Sequence, residues 1–298
     1  MARIMLRYRP DDAYLGPLDG HEIVHEPDDR VQVLLTSGVQ GATAADMQAM
    51  PALSLIICVG SGFEGVDLAA AKARGIRVAN GGAANAECVA DMAFGLLLAT
   101  GRRIGEGDRY IRAGQWGRAP RPGIVPAVHG ARLGILGLGA IGAAVARRGE
   151  GFGMHIAYCN RSRCDVPFEF VATPLALAER SDFLVLALRA GPENRHLVNE
   201  SVLRALGPQG ALVNVSRGSV IDEDALVRAL NEGWIRGAGL DVYGSEPDIR
   251  PDLIAAPNTV LSPHLGGFTT WSLEQAVVLA AKNITAHLAG QPLLTPVL

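Results

Sequence analysis

The 298-residue chain has no excess of charge of either sign: 27 Lys and Arg stand against 30 Asp and Glu, a formal net charge of −3. All but two of its basic residues, Lys72 and Lys282, are Arg, and they are scattered. A nucleic-acid binder carries a basic stripe, and none is visible, so no nucleic-acid partner is expected. Long apolar runs are missing too. The most apolar stretches, Ala93–Ala99 and Val277–Ala281, fall far short of the roughly 20 residues that a bilayer requires. The N-terminal run is interrupted by Arg3 and Arg7 and lacks a signal-peptide core; it reads better as a first strand. No membrane association is expected.

Cysteine is scarce. Cys58, Cys88, Cys159 and Cys164 have no zinc-like pairing with histidines. Three of them lie in or beside apolar runs and read as buried free thiols, which fits a reducing cytoplasm. His21 and His25 have the i,i+4 spacing of a metal pair, but Pro27 and the acidic loop around them argue against a helix, so no metal is expected. Collagen-like and heptad repeats are absent. What is there is apolar residue, 49% of the chain, with 19% charged, enough to fill two cores at a length that usually splits in two.

Strand and helix signals alternate throughout, which implies βαβ units and parallel sheets. Strand-like runs occur near Ile4–Arg7, Val31–Leu35, Leu55–Cys58 and Arg77–Ala79, with helix-like stretches at Ala44–Met50 and Asp67–Arg74, the latter capped by Asp67. A buried helix is expected from Glu87 to about Thr100. The texture then changes: Gly101–Pro126 is rich in Arg, Gly and Pro around Trp116, like a connector or an arm. A second series begins at Ala131, with strands near Leu133–Leu136, Met154–Cys159, Phe183–Leu188, Ala211–Val215, Gly237–Val242 and Thr259–Leu261. Helices are expected at Ala140–Phe152, Glu200–Leu206 and Asp222–Glu232. A last helix, Leu273 to about Leu288, precedes an extended tail, Pro292–Leu298. Six strands with helical crossovers make a full doubly wound nucleotide-binding domain, beside a smaller α/β domain.

The first strand of the second series runs into G-x-G-x-x-G at Gly137, Gly139 and Gly142. Bare matches to this pattern are weak evidence, but here an apolar strand precedes it and a small-residue helix follows. The first glycine permits a tight turn and the second lets a pyrophosphate approach the backbone. The third lets the helix pack close to the sheet, its N-terminal amides facing phosphate. An NAD site usually places a carboxylate at the end of the next strand. This chain has Cys159 there, followed by Asn160, Arg161, Ser162 and Arg163, a set that suits the 2′-phosphate of NADP.

Three further strands end in residues with chemistry, in Arg217, Glu246 and His264. Ligands of doubly wound sheets bind at the carboxyl ends of the strands. A cation, a carboxylate and an imidazole on that edge suit reduction of a 2-keto acid by hydride. Arg217 would hold the substrate carboxylate and carbonyl, His264 would donate the proton, and Glu246 would favour the imidazolium and orient it. A cofactor would supply the hydride.

The chain resembles the D-2-hydroxyacid dehydrogenase family over nearly its whole length. It is especially similar to the branch of hydroxyphenylpyruvate, hydroxypyruvate and glyoxylate reductases that prefers NADPH. The resemblance is carried by Val59–Asp67, Val89–Leu98, Arg102–Trp116, the fingerprint, the Arg-Ser-Arg turn, the three strand ends and the closing tail. It implies two doubly wound, Rossmann-like and flavodoxin-like, parallel-sheet domains with a cleft between them. A discontinuous substrate domain would span 1–98 and 267–298, and a dinucleotide domain 99–266. Arg217, Glu246 and His264 match the catalytic residues, and Gly60, Ser61 and Gly62 match the loop whose amides hold the substrate carboxylate. Cofactor contacts are implied for Gly137, Gly139, Ala140, Ile141, Gly142, Asn160, Arg161, Ser162, Arg163, Leu188, Val215, Ser216, Asp241, His264 and Gly266, with Asp241 at the nicotinamide carboxamide. NADP(H) is expected ahead of NAD(H). A homodimer through the cofactor domains is implied, with the Gly101–Pro126 arm in the contact.

The chain departs from the family in Arg189, where Pro is frequent, and in Gly267, Phe268 and Leu273, which follow the histidine where the family often has Ser, Ala and Arg. These changes abut the substrate pocket. Alternatives are a dinucleotide-sensing regulator of the same fold and a phosphite-type dehydrogenase. The intact Arg217, Glu246 and His264 set favours the reductase.

Overall fold

Strands that are apolar at every position have no face to give to water, so they are covered on both sides by helices. Leu55–Val59 and Phe183–Leu186 are of this kind, and the chain builds two parallel sheets from such runs. The computed structural model describes residues 1–8, 12–189 and 191–298. Two units are formed, one by Met1–Ala86 with Gly267–Leu298 and one by Glu87–Gly266.

In the first unit, β1 (Arg3–Leu6), β2 (Glu22–Val24), β3 (Val33–Ser37), α1 (Ala44–Ala49), β4 (Leu55–Val59), α2 (Leu68–Ala73) and β5 (Arg77–Asn80) follow in order. Its sheet runs β2-β1-β3-β4-β5, the flavodoxin-like order. Thr43 caps α1 through a capping box with Asp46, and Asp67 caps α2 by accepting from the Ala70 N–H at 2.9 Å. His21 is used inside this unit, where its Nδ1 accepts from the Ala2 N–H at 3.0 Å.

The second unit begins with α3 (Ala86–Gly101) and α4 (Ile104–Arg112). It continues with β6 (Arg132–Leu136), α5 (Ala140–Gly151), β7 (His155–Cys159), β8 (Glu169–Phe170), α6 (Pro174–Glu179) and β9 (Phe183–Leu186). Then come α7 (Glu200–Leu206), β10 (Ala211–Asn214), α8 (Glu223–Asn231), β11 (Gly237–Leu240), α9 (Pro251–Ala255) and β12 (Thr259–Leu261). The chain returns to the first unit with α10 (Thr270–Leu288), capped by Thr269, and its tail hydrogen-bonds to β5 through the Val297 N–H and the Val78 carbonyl at 2.8 Å. The second sheet runs β12-β11-β10-β9-β6-β7-β8, the six-stranded Rossmann order from β8 to β11 with a seventh strand, β12, added beside β11.

Four features depart from the sequence expectations. Helix α3 belongs to the second unit, so that unit starts at 87 where 99 was expected. The physical reason is its packing: Val89, Ala90, Ala93 and Leu97 join one core with Leu133, Ile135 and Phe183. Arg148 of α5 also pairs with Asp91 at 2.5 Å and Glu87 at 2.9 Å of α3. The short edge strands β2 and β8, three and two residues long, carried too little pattern to be seen. The 101–126 arm contains a helix, α4, none of whose side chains is fully buried.

Ile104, Ile111, Trp116 and Ile124 are exposed on that arm. At its foot lies a cavity of about 500 Å³ lined by Thr100, Arg103, Arg109, Arg236 and Val260 among others. Arg236 stacks on the Phe183 ring at 5.1 Å, and all three guanidinium nitrogens are buried without a hydrogen-bond partner among the described residues. Among the described residues no helix is long and apolar enough to cross a membrane.

Candidate active site

Every strand of the second sheet is parallel to its neighbours, so the segments that follow the strands share one edge. The order reverses at β6, which lies between β7 and β9. A crevice opens at such a reversal point in doubly wound sheets. The glycine fingerprint stands there. Gly137 has φ +99°, and a Cβ on it would lie 2.7 Å from the Leu188 backbone, so Leu188 of the segment after β9 is pressed against the turn. Its chain neighbours apart, no atom of the described residues lies within 4 Å of where a Gly139 side chain would start, and α5 begins without a side-chain cap. Open space over uncapped helix amides, those of Ala140, Ile141 and Gly142 among them, fits an anionic pyrophosphate. Next to it, after β7, Arg161, Ser162 and Arg163 are exposed, while Asn160 accepts from the Leu138 N–H of the fingerprint at 2.7 Å.

The end of β10 is built by Asn214, which is fully buried. Its Oδ1 accepts from the Ser216 N–H at 3.0 Å and hydroxyl at 2.7 Å, and its Nδ2 donates to the Arg217 carbonyl at 3.0 Å. Val215 and Ser216 are buried, so what they offer a ligand is backbone. Arg217 follows, half-buried, with one guanidinium N–H on the Ser216 carbonyl at 2.7 Å. A Cβ at Gly218 would lie 1.7 Å from the Tyr243 carbonyl carbon. Glycine there lets the Arg217 turn lie directly on the loop that carries Glu246.

Glu246 and His264 meet. Oε2 of Glu246 is 2.7 Å from Nδ1 of His264, and Oε1 accepts from the Tyr243 N–H at 2.9 Å. Burial alone would raise the Glu246 carboxyl. The His264 hydrogen bond, the Tyr243 amide and the charges of His264 and Arg217 outweigh it and hold the carboxyl below its ordinary range. The Tyr243 hydroxyl reaches the carbonyls of Ser262 at 2.9 Å and Leu240 at 3.2 Å, tying the Glu246 loop to the segment before His264. Burial pushes that phenol up to about 12.

His264 itself has φ +54°, a left-handed conformation that costs a non-glycine residue energy. Asp241, 2% exposed, holds it there: its two oxygens accept from the N–H groups of Leu265 and Gly266, each at 2.8 Å. Sequence reasoning singled out Arg217, Glu246, His264 and Asp241, and in the structure they lie together after β10, β11 and β12. It missed Tyr243, Asn214 and the two amides that Asp241 grips, because their partners are set by side-chain direction. The proximity of Asn214 to a strand end was the one available signal.

In the first unit, Gly60, Ser61 and Gly62 follow β4. Gly60 has φ +96°, and the Ser61 carbonyl accepts from Asn80 Nδ2 at 2.7 Å. The N–H groups of Ser61 and Gly62 have no protein acceptor among the described residues, which leaves them available to a carboxylate. Of the departures from the family pattern, Arg189 and Phe268 are exposed and Leu273 is half-buried.

Residues 94–266 match the D-isomer specific 2-hydroxyacid dehydrogenase family through its NAD binding domain. The chain belongs to that family. It is 40% identical to a glyoxylate/hydroxypyruvate reductase of Arabidopsis thaliana over 89% of this chain and 83% of the relative. A hydroxyphenylpyruvate reductase of Plectranthus scutellarioides is also 40% identical, over 90% of this chain and 85% of the relative. Among solved structures, it superposes on the NADPH-dependent glyoxylate/hydroxypyruvate reductase of Sinorhizobium meliloti with a TM-score of 0.91. That pair is 35% identical over 100% of this chain and 98% of the other. The protein is thus a two-domain, doubly wound α/β oxidoreductase of the D-2-hydroxyacid dehydrogenase type.

Proposed function

We propose that this dehydrogenase reduces small 2-keto acids of the glyoxylate, hydroxypyruvate and hydroxyphenylpyruvate kind to D-2-hydroxy acids, with NADPH preferred to NADH. The observation that carries this reading is the 2.7 Å contact of Glu246 and His264 beside Arg217, at the strand ends of a dinucleotide-type sheet. Gly137, Gly139 and the first turn of α5, with Ala140, Ile141 and Gly142, would hold the pyrophosphate. Arg161, Ser162 and Arg163 would hold a 2′-phosphate through charge-assisted bonds. Leu188, Val215, Ser216, Asp241 and Gly266 would line the nicotinamide end. When bound, the nicotinamide supplies the hydride.

The residues of the chain do the rest. Arg217 orients the keto acid through its carboxylate and carbonyl, with the amides of Ser61 and Gly62 as further carboxylate donors. Glu246 fixes the His264 ring through Nδ1, so Nε2 is the nitrogen that hands a proton to the carbonyl oxygen as that oxygen becomes a hydroxyl. In the reverse direction Nε2 takes the proton back. The exposed apolar residues of the 101–126 arm support a homodimer formed through the second unit. The buried thiols of Cys58 and Cys159, with burial pushing Cys58 up to about 12, support a cytoplasmic setting.

The test is NADPH absorbance with purified protein and a panel of glyoxylate, hydroxypyruvate, phenylpyruvate and hydroxyphenylpyruvate. Oxidation of NADPH with at least one of them is the expected result. Silence across the panel overturns the proposal.

A further inference from the structure

The turn that presents Arg161, Ser162 and Arg163 is clamped at both ends, and one of the clamps is a buried phenol. Tyr158, fully buried in β7, points its hydroxyl at a single residue on the far side of the turn. That hydroxyl accepts from the Cys164 N–H at 2.8 Å and donates to the Cys164 carbonyl at 3.2 Å. The Tyr158 ring meets Phe170 edge-on at 5.5 Å, and the Arg163 guanidinium lies over the Phe170 ring at 6.0 Å. At the near end, Asn160 accepts from the Leu138 N–H and donates to Cys164 Sγ at 3.1 Å, so it ties the turn to the fingerprint as well as to its own exit. Residues 160–164 therefore form a small closed loop whose exposed tip is the arginine pair.

Phenylalanine would fill the same core space as Tyr158 beside Phe170. What the hydroxyl adds is satisfied by the backbone of Cys164, so its contribution is to the path of the loop. A guanidinium recognises phosphate through paired donors at fixed angles, and a loop free to splay loses that geometry before it loses its charge.

We propose that Tyr158 is a positioning residue for cofactor choice: by pinning Cys164 it holds Arg161, Ser162 and Arg163 where they meet the 2′-phosphate. This rests on the reading above that the turn receives that phosphate. NADH has no 2′-phosphate, so the latch favours only NADPH. A residue that merely stabilised the fold would affect both cofactors alike.

The experiment is steady-state kinetics of Tyr158→Phe with NADPH and NADH at saturating keto acid, beside an Arg161→Ala/Arg163→Ala double variant and the triple combination. Two backbone hydrogen bonds at their usual net strength correspond to a factor of roughly 5–160. Tyr158→Phe is expected to raise KM for NADPH by about that factor, with kcat and the KM for NADH within about twofold of wild type. Added to the arginine double variant it should change the NADPH-to-NADH ratio by much less than it does alone, because only Ser162 is then left to position. Amide exchange at Cys164 should quicken in Tyr158→Phe, whose circular dichroism should match wild type. Equal losses for both cofactors in the arginine variant overturn the 2′-phosphate reading and the latch with it. A cofactor-selective loss there, with the NADPH-to-NADH ratio unaltered in Tyr158→Phe, overturns the latch alone.

Discussion

Oε2 of Glu246 stands 2.7 Å from Nδ1 of His264, which leaves Nε2 as the ring nitrogen available for chemistry. Oε1 of the same carboxylate is held by the Tyr243 amide, so the partner is fixed and the imidazole cannot turn about without giving up its bond to Glu246. A proton donor that must face one reacting oxygen needs that kind of restraint.

Replacing His264 with Ala should lower kcat for keto-acid reduction by about 10²–10⁴-fold, the usual range for a general acid. Binding of NADPH, followed by quenching or transfer of tryptophan fluorescence, should stay within a few-fold. A His264→Ala enzyme turning over near the wild-type rate would remove the residue from the mechanism.

The depressed Glu246 carboxyl makes a statement about pH. A carboxyl held below its ordinary 4.5 contributes stability that is whole above that value and is lost as pH falls through the lower folded one. The difference in urea-unfolding free energy between wild type and Glu246→Gln should be equal at pH 6 and pH 5, and should close only in stronger acid. A difference that stays constant into strong acid would show that the pair does not depress the carboxyl.

Arg161 and Arg163 are the residues proposed to set a preference for NADPH. Replacing both with Ala should raise KM for NADPH at least tenfold and leave NADH within about threefold. The wild-type preference should also shrink as salt rises, because exposed charge contacts are screened. Equal use of the two cofactors by the wild type would make these arginines ordinary solvated charges.

Among the described residues the buried Arg236 guanidinium has no hydrogen-bond partner, and burial lowers its pKa. Methionine keeps the contact with Phe183 and removes the unsatisfied donors, so Arg236→Met should gain about 1–3 kcal/mol in urea unfolding at fixed protein concentration. A loss of that size would mean that the guanidinium is stabilised where it stands, by the charge of Asp182 or by a group from outside the chain.

Much of this was legible in the residues themselves. Buried parallel strands are written as unbroken apolar runs, so nearly every central strand could be found within two residues of its ends. The glycine fingerprint and Arg217, Glu246 and His264 sit at strand ends, where chemistry-bearing residues stand out against apolar neighbours. The rest depends on partners distant in sequence. Two-residue β8 exists only because Ala157 and Tyr158 offer it an edge. Helix α3 joins the second unit through Arg148 of α5, 57 residues beyond Asp91. Asp241 could be read as a polar residue at a strand end, but its grip on two amides 24 and 25 residues later could not.

That grip has a mechanical consequence. Gly266 is the last residue of the second unit, and the backbone beyond it belongs to the first. A pull arriving along the chain from Gly267 meets the two Asp241 bonds before it meets the imidazole two residues upstream. Asp241 is thus placed like a cable clamp at a wall, between any displacement at Gly267 and the His264 ring.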